Sequence, residues 1–348
     1  MTAPTTLADL TTLRVGGPAS RVVVAEDEAA LVAAVSEADA TGTPALVVAG
    51  GSNLVVGDDG FPGTVVVVRT RGIEVVADTC GGAWVTVAAG EPWDAFVARA
   101  VDEEWAGVEA LSGIPGSVGA TPVQNVGAYG QEVAGTVARV RTLDRSTGER
   151  RTFAAADCGF GYRTSRFKAE AGRWLVLEVS LQLRLSATSE PVRYAELARA
   201  LGVEVGDRAP LRDVRDAVLA LRRSKGMVLD PDDHDTWSVG SFFTNPVLDA
   251  DAAARLPEGA PRFPQPDGRV KSSAAWLIEH AGVRKGESRG AAAVSGKHTL
   301  ALTNRGGATA ADVVALAGDV RDRVLAAYGV LLEPEPTLVG CALPQPSR

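Results

Sequence analysis

The chain has 348 residues, 46% of them hydrophobic and 22% charged, a composition that argues against wholesale disorder and a length that predicts more than one hydrophobic core. A formal charge of −8 with no long run of Lys and Arg argues against a nucleic-acid-binding surface. The three cysteines, Cys80, Cys158 and Cys341, are too scattered for a disulfide framework or a zinc knuckle, and Met1–Thr5 lacks the basic-then-apolar pattern of a leader. With no apolar run long enough for a membrane helix, the expectation is an unexported cytoplasmic protein with no membrane partner.

In chain order, β-branched runs at 22–24, 46–48, 65–68, 84–87 and 174–185 predict strands, and 28–38 and 93–105 predict helices, which together describe an α+β domain. Beyond residue 185 the texture becomes helical. A helix is expected at 192–201, and Leu211, Val214, Val218 and Leu221 place one apolar stripe on a second. Acidic Pro231–Asp235 and the prolines at 257, 261, 264 and 266 mark loops. Thr309 followed by Asp312 predicts a capping box for a helix that Gly329 ends, and 330–339 predicts a last strand. These breaks suggest a first domain over 1–205, a second over 206–330 and a C-terminal strand in 331–348.

Two glycine-rich segments carry chemistry. In Leu46–Leu54 a strand runs into Gly50-Gly51-Ser52-Asn53, where missing Cβ atoms let backbone N–H groups approach a phosphate; a plain tight turn is the alternative. The segment from Gly113 to Gly130 is long and uncharged, with Gly113, Gly116 and Gly119 at three-residue steps and the amides Gln124 and Asn125 able to meet a flat heterocycle. Neither is the Gly-x-Gly-x-x-Gly dinucleotide fingerprint, and Gly296-Lys297 fails as a P-loop. The three histidines, His234, His280 and His298, all follow residue 230, so neither a metal site nor a Ser-His-Asp triad is expected. Ser241, taken alone, reads as a turn or capping serine, and Arg163 equally as an anion clamp or an arginine stacked on Tyr162.

The ordered set Gly-Gly-Ser-Asn, Gly-Ile-Pro-Gly-Ser-Val-Gly-Ala-x-Pro-x-Gln-Asn-x-Gly-Ala-Tyr-Gly, Tyr-Arg-x-Ser-x-Phe-Lys, Gly-Ser-Phe-Phe-x-Asn-Pro and Leu-Glu-Pro-Glu resembles the UDP-N-acetylenolpyruvoylglucosamine reductases, over about residues 10 to 340. The resemblance implies an N-terminal FAD domain of the vanillyl-alcohol-oxidase type, a C-terminal α+β substrate domain, and a last strand returning to the active site. It implies FAD, NADPH as hydride donor, and a UDP-sugar substrate whose enolpyruvyl group is reduced in peptidoglycan precursor synthesis. Carried over by position, Gly50, Gly51, Ser52 and Asn53, then Gly116, Ser117, Val118, Gly119 and Ala120 with Gln124, Asn125 and Gly127, would contact the cofactor, with Arg222 near it or the diphosphate. Ser241 would be the proton donor, and Arg163 and Glu335 would polarise the enolpyruvyl carboxylate. Tyr162, Tyr194, Lys225, Asn245, Lys271 and His298 would bind substrate; Phe242 and Phe243 would join Tyr162 in excluding solvent.

Pro336 and Thr337 depart from the apolar residue and arginine that follow the glutamate in many relatives. The first 205 residues contain no histidine, so the flavin is expected to be noncovalent. A monomer is expected. Two rival readings stand beside this one: a flavin oxidase or dehydrogenase acting on an alcohol or 2-hydroxy acid, which would not need the Gly-Ser-Phe-Phe segment, and a noncatalytic nucleotide-sugar or flavin binder.

Overall fold

A computed structural model describes residues 6–78 and 81–346, so the readings made on Met1–Thr5 and on Cys80 lie outside the described residues. The chain forms two compact units, one of Ser20–Gly50 with Pro62–Val228, the other of residues 6–19, Gly51–Phe61 and 229–346.

In the first unit the strand Phe61–Val68 lies between Ala19–Ala25 and Ala45–Val48, parallel to the latter with Ala45 opposite Thr64 and Val48 opposite Val67. Its run from Val65 to Val68 is buried, as a β-branched strand covered on both faces requires. The helix Glu28–Thr41 begins where the Asp27 carboxylate accepts from Ala30 N–H at 2.8 Å, and it ends at Gly42 in the left-handed region. A larger antiparallel sheet follows in the order Glu149–Ala154, Val137–Asp144, Trp174–Leu185, Gly82–Ala88, Ile73–Asp78. Its first hairpin turns where the Asp144 carboxylate accepts from the Ser146 amide and hydroxyl, and Arg173 and Ser146 hold that carboxyl well below its usual range.

Helices Ala195–Leu201 and Leu211–Ser224 belong to this unit, whose edge lies at Val228 and not near residue 205. Packing explains the shift: Leu211 clusters with Val101 and Ala106, and Val214 and Val218 with Ala110. Arg215 also pairs with Asp94 of the helix Trp93–Asp102 at 2.7 Å.

The second unit holds an antiparallel sheet in the order Ser238–Ser241, Ala301–Asn304, Ala292–Val294, Ser288–Arg289. Val313, Leu316, Val320 and Val324 of the helix Ala310–Tyr328 join Phe242, Phe243, Leu277 and Ile278 in one core. The capping box of Thr309 and Asp312 is present, and Gly329 ends the helix in the left-handed region. The last strand is shorter than 330–339: only Thr337–Val339 is strand, parallel to Leu54–Val56, and before it Pro334 pairs with Phe243 as a short antiparallel bridge. Pro334 and Pro336 lack the N–H groups that a longer ladder needs. Among the described residues no helix is long and apolar enough to cross a membrane, and no cluster of three or more His, Cys, Asp or Glu side chains can hold a metal ion.

Candidate active site

The glycine segments are built by close backbone approach. A Cβ added to Gly50 would lie 2.7 Å from the Gly116 Cα, and one on Gly119 would lie 2.5 Å from the Ala89 Cβ, so both positions exclude any larger residue. The loop from Leu111 to Gly119 is pinned to the start of the helix Trp93–Asp102. Trp93 N–H donates to the Gly116 carbonyl at 3.0 Å, Trp93 Nε1 donates to the Leu111 carbonyl at 3.1 Å, and Gly113 N–H donates to the Asp94 carboxylate at 2.6 Å. Further along, Val118 N–H donates to Glu91 and Gly119 N–H to Ala89, both at 2.9 Å.

Two polar atoms beside these turns are buried with no hydrogen-bond partner, the Ser117 Oγ and the Arg222 Nε. Burial pushes the Arg222 guanidinium down to about 10, against the pull of Tyr129 and Asp94, which leaves it cationic at neutral pH. A crowded glycine cradle with a buried hydroxyl and a buried guanidinium nitrogen left unsatisfied, while the Arg222 Nη2 already donates to the Met227 carbonyl at 2.8 Å, is what a phosphate-bearing cofactor such as FAD would complete. The residues fit that group. Val118 differs from its neighbours, because its side chain is fully buried in the hydrophobic core and its N–H and carbonyl are committed to Glu91 and Thr121, so it shapes the loop from within.

Asn125 works differently from the expected heterocycle contact. Its Nδ2 donates to Glu132 at 2.8 Å and to the Gly161 carbonyl at 3.0 Å, while its Oδ1 accepts from Ala134 N–H at 3.1 Å. Both amide hydrogens are therefore committed to holding the loop, at a residue whose φ of +47° also bends it. The bend brings Gly127 against Arg163, whose Nη2 donates to the Gly127 carbonyl at 2.7 Å. Arg163 itself has φ +52°, its carbonyl accepts from Lys168 Nζ at 3.1 Å, and its guanidinium carbon lies 5.5 Å from the Tyr162 ring centroid. Ser165 donates to the Val123 carbonyl at 2.6 Å and caps the helix Arg166–Ala169, so the Tyr-Arg-x-Ser-x-Phe-Lys motif folds directly onto the glycine loop.

A third group in the same unit joins Tyr194, Lys225 and two residues that sequence reasoning left without a role, Tyr129 and Glu196. The rings of Tyr129 and Tyr194 meet edge to face at 5.6 Å, and Lys225 Nζ lies 5.7 Å from the Tyr129 centroid while pairing with Glu196 at 2.6 Å. Burial pushes the Tyr129 hydroxyl up to about 12. The signal for Tyr129 was its place in Gly-Ala-Tyr-Gly, where a left-handed aromatic (φ +48°) between glycines is unusual.

In the second unit Ser241 ends a strand that carries an irregularity between Ser238 and Ser241, with Gly240 at φ +75°. Such a bulge re-aims the side chain that follows it. The segment is then fixed by its backbone: Phe242 N–H donates to Leu300 at 2.7 Å, Glu335 N–H donates to Phe242 at 2.8 Å, and Thr244 N–H donates to Glu333 at 3.0 Å. Phe242 and Phe243 are fully buried and pack on each other at 5.2 Å, so they anchor Ser241 from the core and do not line an opening as solvent shields.

Asn53 closes the same ladder, its carbonyl accepting from Thr337 N–H at 3.0 Å and its Nδ2 lying 3.5 Å from the Glu335 carbonyl. Gly51 has no space for a Cβ, which would fall 1.8 Å from the Leu10 carbonyl, and Ser52 follows it in the turn. His298 flanks Ser241 through its neighbour: Ala301, opposite Ser241, donates to the His298 carbonyl, and His298 Nδ1 lies 3.4 Å from Leu300 N–H. The Asn245 Oδ1 accepts from Ala274 N–H at 2.9 Å at the start of the helix Ala274–His280, and Lys271 lies opposite Val247 on a neighbouring ladder.

The family model described as "UDP-N-acetylenolpyruvoylglucosamine reductase, C-terminal domain" matches residues 230–339, and the model "FAD binding domain" matches 19–154. A UDP-N-acetylenolpyruvoylglucosamine reductase of Cutibacterium acnes is 58% identical over 340 residues, covering 97% of this chain and 90% of its own. The chain belongs to the UDP-N-acetylenolpyruvoylglucosamine reductase family.

A second reductase, from Salinispora arenicola, is 57% identical over 346 residues, covering 97% of this chain and 95% of its own. The crystal structure of UDP-N-acetylenolpyruvylglucosamine reductase (MurB) from Thermus caldophilus matches with a TM-score of 0.65 at 26% identity, covering 97% of this chain and 98% of that one. The reductase C-terminal match begins beside Leu229, where the second compact unit also resumes.

Proposed function

We propose that Ser241, Arg163 and Glu335 are the catalytic residues of this reductase. The chain is a flavin-dependent NADPH oxidoreductase, which reduces the enolpyruvyl group of UDP-N-acetylglucosamine enolpyruvate to give UDP-N-acetylmuramate in peptidoglycan precursor synthesis. FAD, when bound, supplies the hydride chemistry, taking two electrons from NADPH and returning them to the substrate. The protein's part is to hold, orient and protonate.

Gly50 and the backbone of 116–120 give the cofactor close approach, Ser117 and Arg222 offer donors to its phosphates, and Gln124, Asn125 and Gly127 shape the loop beside it. Hydride addition to the enolpyruvyl double bond builds negative charge toward the carboxylate. Arg163 and Glu335 polarise that carboxylate, and the guanidinium meets the growing charge with a fixed cation. Ser241 then delivers its proton to the anionic carbon; a hydroxyl is a weak acid, so it serves only when held within reach of so basic a carbon. Tyr162, Tyr194, Lys225, Asn245, Lys271 and His298 bind the sugar nucleotide.

One observation carries this reading: the 2.8 Å bond from Glu335 N–H to the Phe242 carbonyl sets the glutamate segment beside the serine segment, although 94 residues of sequence separate Ser241 from Glu335. A noncovalent cofactor and a monomer complete the proposal, with a cytoplasmic location that the free thiols of Cys158 and Cys341 support. The test is an anaerobic titration. NADPH bleaches the flavin, and one equivalent of the enolpyruvyl sugar nucleotide restores the oxidised spectrum. Bleaching by a 2-hydroxy acid without NADPH, or no recovery on adding the sugar nucleotide, would overturn the reading.

A further inference from the structure

The Lys225 ammonium, one of the sugar-nucleotide-binding groups proposed above and by its charge a partner for the diphosphate, already has an anion. Glu196 Oε2 lies 2.6 Å from its Nζ, and each side chain keeps about a third of its surface in water (31% and 35%). Lys225 also sits at the C-terminal end of the helix Leu211–Ser224, an end that favours a cation. Glu196 lies in the first turn of the short helix Ala195–Leu201, whose N-cap residue is Tyr194, and no side chain caps that end. Tyr194 is 47% exposed and rests edge-on against Tyr129, the ring under Lys225.

We propose that Glu196 is an internal stand-in for the substrate's diphosphate, occupying Lys225 and thereby parking Tyr194 against Tyr129 until a sufficiently charged ligand displaces it. This inference rests on the assignment of Lys225 to the diphosphate. A carboxylate carries one charge and a diphosphate more, so both cannot share one ammonium without mutual repulsion, and the ligand with more charge wins. An ion pair that keeps about a third of its surface in water is screened and weak enough to be exchanged during binding. Because Glu196 and Tyr194 are two residues apart on one short uncapped helix, loss of the ion pair also frees the tyrosine. Glu196 thus tunes affinity at this ammonium: it weakens a ligand whose diphosphate must take its place and leaves uridine, which brings no charge, untouched.

The test uses the FAD-loaded protein and equilibrium titration with UDP and with uridine, on the native chain, Glu196→Gln, Glu196→Asp, Lys225→Ala and the Glu196→Gln/Lys225→Ala double variant. Glu196→Gln is expected to tighten UDP on the order of threefold to fivefold while leaving uridine unchanged. Glu196→Asp, which keeps the charge, is expected to return affinity toward the native value, and the double variant to show no gain over Lys225→Ala. If Lys225→Ala weakens UDP but Glu196→Gln does not tighten it, the stand-in idea fails and the lysine assignment survives. If Lys225→Ala leaves UDP binding intact, the assignment fails and takes the inference with it.

Discussion

The glycine loop from Gly113 to Gly127 and the ladder that joins Ser241 to Glu335 solve different problems. In the loop the backbone that holds the fold is also the backbone offered to a cofactor: Gly50 and Gly116 approach backbone to backbone, and the amides of Gly113, Val118 and Gly119 are tied down. In the ladder the backbone does the holding, through the bonds of Phe242, Thr244 and Glu335, and the chemistry is left to side chains. Fold and binding are therefore inseparable in the first region and separable in the second. Substitution in the loop is expected to empty the protein of flavin, whereas substitution in the ladder is expected to leave a yellow, folded and slow enzyme.

The sharpest way to break that contrast is Gly50→Val. Its Cβ would meet the Gly116 backbone, which cannot swing aside as a side chain can, so the variant is expected to purify without flavin absorbance; full occupancy would refute the cradle. Next comes Arg163→Lys, which keeps the charge but loses the planar donor that reaches Gly127. Turnover should fall on the order of 100-fold in kcat/KM with flavin retained, as steady-state kinetics on the yellow protein would show.

Asp94→Asn probes the loop's anchor more gently. Burial resists ionisation of Asp94, but the hydrogen bonds from Arg215 and Gly113 outweigh it and hold the carboxyl below its ordinary range. Its contribution is complete above the ordinary carboxylate value of about 4 and is lost as pH falls through the lowered value. Flavin affinity in the native protein should therefore drop in acid. The asparagine variant should bind flavin several-fold more weakly at neutral pH and lack that acid limb, as fluorescence titration across pH would reveal. The smallest effect belongs to Cys158, buried and pushed up to about 11 by that burial. Peptide mass mapping after iodoacetamide treatment at pH 8 should find it unmodified in the folded protein, and rapid labelling would mean that this part of the core opens.

Much of this was legible in the sequence where one physical signal dominated. The β-branched runs at 46–48 and 65–68 became parallel partners, the stripe of Leu211, Val214 and Val218 faced a core, and the Thr309–Asp312 box capped its helix. Strands 137–144 and 149–154 were hidden because arginines interrupt their apolar pattern, two of them lying over aromatic rings, Arg139 over Trp84 and Arg151 over Phe153. The unit edge at Val228 was hidden because tertiary packing of Leu211 and the Arg215–Asp94 pair, not local composition, decides it. In the site the glycines announced themselves, since only close approach explains so many. Asn125 misled, because an amide in a cofactor-like loop reads the same whether it faces a ligand or ties its own chain, and Glu196 gave no signal until Lys225 was seen against it.

Ser241 is the residue on which the proposed chemistry turns, and rapid-mixing absorbance of Ser241→Ala under anaerobic conditions tests it by separating the two half-reactions. NADPH should bleach the bound flavin at the native rate, within about twofold, because no proton from the serine is needed in that step. Reoxidation by the enolpyruvyl sugar nucleotide should slow on the order of 1000-fold, the range of a lost general acid. Reoxidation at the native rate would contradict the account.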